Sequence, residues 1–342
     1  MSVRKQPDLN VKGAESLIER VFSISTDDAF EALALEVFRH QYDNNLLYRT
    51  FADLNQATPD SVAATAGIPF LPVGFFRDHQ VLTNSRTAEE AVTFLSSGTT
   101  GAAVSRHTVS APSLYRRSFL EGFRLFFGEI TQYRIFALLP SYLEREGSSL
   151  VYMADHLIRE TQSGAGGFFL DDFPALEREL KSSLALEGRT ILIGVTFALL
   201  DFAAWTDEQF PGLTVVETGG MKGRRREMIR EELHSILKEK LGLESVAGEY
   251  GMTELLSQAW SAADGLFVTP PWMKVAFREI NDPRTLVTPG KTGAINVIDL
   301  ANLNSCSFLA TQDLGRQHPG GEFEVLGRFD GSEVRGCNLM VL

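Results

Sequence analysis

The run Phe94-Leu95-Ser96-Ser97-Gly98-Thr99-Thr100-Gly101 joins a short apolar stretch to a loop of glycines and hydroxyl side chains. Glycine lets a backbone approach an anion closely and adopt positive φ. Successive N–H groups in such a turn form an anion-binding concavity, and the hydroxyls of Ser96, Ser97, Thr99 and Thr100 add donors for phosphate oxygens. A Walker-type loop needs a lysine after its second glycine, where this chain has Ala102. On residues alone, a Ser/Thr-rich turn is the plainer reading. A second constellation is Tyr250-Gly251-Met252-Thr253-Glu254. Gly251 permits a sharp turn and Thr253 offers a hydroxyl to phosphate. Glu254 offers a carboxylate to Mg2+, a hard cation that shares oxygen ligands with phosphates. The competing reading is a helix N-cap at Thr253 with an acidic first turn.

The elements that must position these segments alternate between strand and helix. Apolar runs at 91–95, 134–139, 190–195, 213–217 and 245–247 read as strands. Helical spacing predicts helices over 30–40, 114–127, 148–159, 173–184 and 224–241. The last carries the stripe Ile229, Leu233, Ile236, Leu237 and Leu241 and stops at Gly242. Two prolines and two glycines within 67–74 predict a buried, extended connection. Strands near 294–298 and 322–326 are separated by turns and read as antiparallel. The alternation implies a mainly parallel sheet with helices on both faces. Asp171 and Asp172 read as caps of the helix that follows. His107, His156 and His234 read as structural, although His107 could face a phosphate. The aromatic run Phe119 to Phe127 could line an acyl pocket, but core packing is the plainer account. Arg224, Arg225 and Arg226 read as solvated charges.

Composition limits the partners. The formal net charge of −12 argues against nucleic acid or an anionic membrane as the main ligand. Two cysteines, Cys306 and Cys337, are too few for a disulfide framework and offer no zinc pattern. The N-terminus lacks the apolar core of a signal peptide, and no run of about eighteen apolar residues predicts a membrane span. The expectation is a soluble protein of the reducing cytoplasm, able to oligomerise.

Together the two loop segments resemble the core signatures of the adenylate-forming superfamily, which comprises acyl-CoA synthetases, adenylation domains and luciferase-like ligases. Three further segments match in order. Glu217-Thr218-Gly219-Gly220 resembles the glycine turn beside adenine. Thr311-Gln312-Asp313-Leu314-Gly315 resembles the segment whose aspartate binds both ribose hydroxyls. Leu326-Gly327-Arg328-Phe329-Asp330 resembles the hinge whose arginine also reaches the ribose. The resemblance implies ATP and Mg2+ as cofactors. It places the phosphates on Ser96 to Gly101 and Thr253, adenine between Tyr250 and the Gly219-Gly220 turn, and the metal on Glu254, with Gly251 and Met252 in the same segment. It implies the large N-terminal α/β domain of that fold, with mainly parallel sheets flanked by helices and a small antiparallel β subdomain. Residues 1–90 are then a helical region packed on the core, 91–326 the core, and 327–342 a hinge-like segment with a short tail.

Departures narrow the expectation. The family's Pro-Lys-Gly after the phosphate loop is replaced by Val104-Ser105-Arg106-His107, which leaves Arg106 to supply the charge. The usual C-terminal lid domain, with its catalytic lysine, is expected to be absent. One branch, the acyl-protein synthetases of bacterial bioluminescence fatty-acid reductase complexes, resembles this chain in Ile68 to Val73 and in the ending Gly331 to Leu339. That resemblance implies activation of a carboxylic acid, a fatty acid, to acyl-AMP, with Thr253 and Glu254 catalytic. Acyl transfer to Cys337 and then to an acceptor protein, such as a reductase or carrier, would follow. A thiolate is a good nucleophile toward an acyl-adenylate, and Arg335 nearby would favour it. The alternatives are a ligase that serves coenzyme A or a carrier protein without a covalent step, and a non-catalytic nucleotide-binding regulatory subunit. Cys306 reads as structural.

Overall fold

In this computed structural model the described residues are 17–83, 90–96, 104–139, 147–219 and 228–329. A helix over 17–22 (α1) precedes α2 (Asp27–Asn44). Thr26 caps α2 by accepting from Ala29 N, and Asp27 and Asp28 sit against its positive end. Phe30, Leu33, Val37 and Phe38 form its buried face, as the helical spacing predicts. Asn45 ends α2 and caps α3 (Leu46–Leu54) through Tyr48 N. The proline-rich connection forms β1 (Leu71–Pro72), which pairs in parallel with residues 309–310. Leu71 is buried while Pro72 is exposed, consistent with proline's missing donor at a sheet edge. The short helix α4 (Phe75–Asp78) follows.

β2 (Val92–Leu95) and β3 (Arg106–Val109) form an antiparallel hairpin, and α5 (Pro112–Phe127) leads into the parallel sheet. Its elements run β4 (Tyr133–Leu138), α6 (Ser149–Glu160), β5 (Gly166–Phe168), α7 (Phe173–Leu184), β6 (Arg189–Gly194), α8 (Thr196–Trp205), β7 (Leu213–Glu217), α9 (Arg230–Leu241), β8 (Val246–Tyr250) and β9 (Ala259–Ser261). The strand order is β5-β4-β6-β7-β8-β9, parallel except for β9. Successive side chains face opposite cores, as the strand period of two demands. Ile135, Ile191, Ile193, Val216 and Ala247 join the core shared with α5. Phe136, Leu192, Val215 and Val246 join the core shared with α7, α8 and α9. The chain moves out from β4 to β5 and returns past β4 to β6. That reversal marks the carboxyl ends of the strands as the place where such sheets bind ligands.

β10 (Met273–Arg278), β11 (Thr292–Asp299), β12 (Phe308–Gln317) and β13 (Phe323–Arg328) build the second sheet. Its order is β1-β12-β11-β10, with β13 also on β12; β1 pairs in parallel and each of the other neighbouring pairs is antiparallel. A bulge interrupts β11 between Ala294 and Asn296. Ile295, Val297, Phe308 and Leu309 face the same core as Phe119 and Phe123, so α5 lies in one continuous core with both sheets.

Two expectations change. α9 begins at Arg230 rather than at residue 224, because Ile229 has extended backbone and stands 69% exposed. Ile229 therefore lies outside the apolar stripe. Arg224, Arg225 and Arg226 lie outside the described residues. No described helix is long and apolar enough to cross a membrane.

Gly315 lies where β12 is held between β11 and β13. A Cβ there would stand 2.5 Å from Glu324 O and 2.9 Å from Ile295 Cδ1. Gly315→Ala is expected to cost about 1–3 kcal/mol through overpacking. The urea midpoint should fall with an unchanged slope.

Candidate active site

The hairpin that carries the hydroxyl-glycine loop is closed at its neck. Ser96 N donates to Ser105 O at 3.0 Å, and Ser105 N donates to Ser96 Oγ at 2.9 Å. Both ends of the loop are therefore fixed. Ser97, Gly98, Thr99, Thr100 and Gly101 lie outside the described residues. Arg106 is exposed and pairs with Leu95, whereas His107 is fully buried edge-on against Phe76. His107 Nδ1 donates to Thr253 O at 2.7 Å. Ser105 lies beside the Glu254 carboxyl, which burial raises above its ordinary pKa while Ser105 opposes the rise. The loop-bearing hairpin and the Tyr250–Glu254 segment thus adjoin.

β8 ends at Tyr250, and Gly251 follows; a Cβ there would press on Glu249 Oε1, so the Glu249 side chain would have to shift. Thr253 and Glu254 form a turn that runs on to β9, so the helix-cap reading of Thr253 fails. Instead of a helix ladder, the buried Asp299 carboxylate collects the donors that follow. Leu256 N reaches it at 2.8 Å, Ser257 N at 2.9 Å, Ser257 Oγ at 2.5 Å and Ala301 N at 3.2 Å. Asn302 Nδ2 donates to Glu254 O at 2.8 Å. Met252 is half-buried against the core.

Tyr250 packs between Phe323 and Phe267, with ring centroids 5.7 Å and 6.0 Å away. Its hydroxyl donates to Asp313 Oδ2 at 2.9 Å. Arg328 stands opposite Asp313 across β12 and β13, with Nε 3.9 Å from Oδ1 and its side chain 62% exposed. Burial raises the Asp313 pKa, while the Tyr250 hydrogen bond and Arg328 hold it back. Beneath this cluster lies Arg278, only 7% exposed. Its guanidinium donates to Ile295 O at 2.9 Å, Asn296 Oδ1 at 2.6 Å and Thr311 O at 2.7 Å. These acceptors surround the β11 bulge. Thr311 Oγ1 in turn accepts from Asp313 N at 3.1 Å. Arg278 therefore fixes the strand segment that presents Asp313.

At the end of β7, Gly219 takes φ 76° and its N–H donates to Glu217 Oε1 at 2.8 Å. The Thr196 hydroxyl donates to the same oxygen. Gly220 lies outside the described residues. Glu249, half-buried on the neighbouring strand, is raised to about 8 by burial and by Glu217. Cys306 is fully buried with its thiol pushed up to about 12 by burial, the inert state expected of a structural cysteine. Cys337 lies outside the described residues. Asp172 caps α7 through Ala175 N, as expected, and Phe119 and Phe123 pack in the core. Sequence reading missed Arg278, Asp299, Asn302 and Glu249. The available signal was a lone charge at the edge of an apolar strand, as in Ala294 to Asp299.

No family model and no curated protein sequence matches the chain. Solved structures do match. ATP-bound MatB from Rhodopseudomonas palustris aligns with TM-score 0.52 and 17% identity over 72% of this chain. An open conformation of 2-hydroxyisobutyryl-CoA ligase, in complex with 2-HIB-AMP and CoA, aligns with TM-score 0.64 and 12% identity over 90% of this chain. The luciferase-like enzyme of the nonluminescent Zophobas morio mealworm aligns with TM-score 0.50 and 14% identity over 72%. The fold is that of the large domain of adenylate-forming enzymes. The chain spans 50% of the length of MatB, 72% of the ligase and 60% of the luciferase-like enzyme. At these identities the adenylate-forming fold is what the likeness establishes.

Two outcomes follow from the site's electrostatics. Arg278→Met removes the guanidinium donor from Asn296 Oδ1 and Thr311 O, while Ile295 O keeps the Thr311 hydroxyl, and unfolding stability should fall by about 3 kcal/mol. Glu249 binds its proton more tightly folded than unfolded, so its protonated state favours the fold. That contribution is full below the ordinary glutamate value of 4.5 and is lost as pH rises toward about 8. Glu249→Gln should therefore melt higher than the wild type at pH 8, with the difference vanishing near pH 4, as read by calorimetry.

Proposed function

We propose that the protein activates a carboxylic acid with ATP, forming an acyl-adenylate and pyrophosphate. One observation carries this reading. Tyr250, Asp313 and Arg328 converge at the carboxyl end of β8, and His107 joins the loop-bearing hairpin to the same segment. The substrate carboxylate attacks the α-phosphorus of ATP. The bond to the bridging oxygen breaks, and pyrophosphate leaves with the electron pair. Such a transfer needs alignment and charge stabilisation more than covalent help.

In this reading Asp313 accepts from the ribose hydroxyls and Arg328 lies at the exposed side of the sugar. The Tyr250 ring and the Gly219 turn bound the adenine. Thr253 and the loop hydroxyls donate to phosphate oxygens. Among the described residues no group of three acidic, histidine or cysteine side chains could cage a metal. A single buried carboxylate, Glu254, suits Mg2+, which is commonly held by one carboxylate together with substrate phosphates. Mg2+ there would neutralise charge on the phosphates.

We assign the second half-reaction to Cys337. Its thiolate attacks the acyl carbonyl, AMP departs, and a thioester forms; an acceptor protein such as a reductase or carrier then takes the acyl group. The support is chemical. Of the two cysteines, Cys306 is buried and held as a thiol. A fatty acid is the substrate class that the sequence resemblance favours.

Acid-dependent exchange of labelled pyrophosphate into ATP tests the first step. Asp313→Asn and Glu254→Gln should each lower its kcat/KM by about 100-fold, and absence of exchange with every acid tried would sink the reading. Label from a fatty acid should remain on the denatured protein and be released by hydroxylamine. Cys337→Ser should abolish that label; an unchanged signal would remove Cys337 from the mechanism.

A further inference from the structure

A row of polar groups runs behind the turn that carries Thr253 and Glu254. Thr253 O accepts from His107 Nδ1 at 2.7 Å, and Glu254 O accepts from Asn302 Nδ2 at 2.8 Å. A backbone carbonyl only accepts, so Nδ1 carries the imidazole proton and the Asn302 amide nitrogen faces Glu254. The two remaining atoms are His107 Nε2 and Asn302 Oδ1. The Asn302 side chain lies beside the ring. Both atoms are buried, and neither finds a partner among the described residues. In a neutral imidazole both are acceptors, so the row is one donor short.

Beside them is a cavity of about 10 Å³, lined by His107 and Asn302 together with Ser110, Leu114, Leu256 and Asn304. That is about the space one water needs, and a buried water needs polar partners on at least two sides. A water bound between Nε2 and Oδ1 would donate one hydrogen to each. The other way to supply a donor is a proton on Nε2, making the ring an imidazolium. Burial opposes that by lowering the His107 pKa to about 4.

We propose that His107, one bridging water and Asn302 form a strut that holds both carbonyls of the Thr253–Glu254 turn. Because His107 belongs to β3, the strut ties this turn to the hairpin that carries the hydroxyl-glycine loop. The two segments then keep one spacing before any ligand arrives, and His107 is a positioning residue rather than a catalytic one. Its consequence for nucleotide binding rests on the proposed function; the strut itself does not.

The test uses the full chain with His107→Asn, His107→Leu, Asn302→Leu and the double Leu variant. ATP affinity is read by calorimetric titration and local order by hydrogen–deuterium exchange over residues 250–257. Each Leu variant should weaken ATP about tenfold and lose protection over 250–257. The double variant should lose little more than either single one, because groups in one network are not additive. His107→Asn, whose amide nitrogen can take the Nδ1 position, should recover most of both. In histidine-labelled wild type, the ring signals removed by His107→Asn should report a neutral, Nδ1-protonated imidazole near pH 7. Losses that multiply in the double variant, protection unchanged in His107→Leu, or an imidazolium signal would each overturn the strut. Wild type that fails to bind ATP would defeat the proposed function, while exchange and ring signals still decide the strut. If a Leu variant does not fold, His107→Asn and the ring signals decide it.

Discussion

Tyr250 holds the seam between the two sheets, and the candidate site depends on it. The ring ends the parallel strand β8 and packs against Phe267 and Phe323, while its hydroxyl reaches Asp313 in β12. A buried phenol hydroxyl costs free energy unless it is bonded, and a buried carboxylate costs more. Each satisfies the other here. The contact therefore sets the distance between the carboxyl edge of one sheet and the β12–β13 pair of the other.

Around that seam, buried polar groups serve as anchors for backbone that belongs to no ladder. Asp299 gathers the donors that follow Glu254. Arg278 covers the carbonyls around the β11 bulge. His107 and Asn302 hold the two carbonyls of the turn between them. Irregular backbone is otherwise placed at the surface, where water satisfies it. These segments are interior, so side chains must satisfy it. The energetic asymmetry of such groups, small net gain when paired and large loss when one partner goes, makes them strong positional constraints. Isolated charges beside apolar strands are accordingly where this molecule concentrates its local precision.

Much of the regular fold was legible in the order of residues. The spacing of Phe30, Leu33, Val37 and Phe38 marked α2, and the runs at 190–195 and 213–217 marked β6 and β7, because apolar periodicity follows from which face is buried. The start of α9 was misread because Ile229 continues the apolar period, yet its backbone is extended and its side chain meets water. Periodicity cannot tell a stripe residue from an exposed neighbour of the same type. The competing helix-cap reading of Thr253 falls for a related reason. A hydroxyl followed by a carboxylate suits a helix start, yet the N–H groups that follow donate to Asp299, distant in the chain, rather than to a helix ladder.

By itself the sequence determined the alternation of strands and helices and the chemical character of the loop at 96–101 and of residues 250–254. These are local properties, set by side-chain type, spacing and backbone freedom. Only the tertiary structure decided that Tyr250 meets Asp313, that Arg328 stands across from it, and that His107 serves the Thr253 carbonyl rather than an open cleft. It also decided that Arg278 and Asp299 lie inside. Those outcomes depend on strand order, register and a bulge in β11. Register emerges from the summed burial of many side chains on both sheets, which no single segment of the chain encodes.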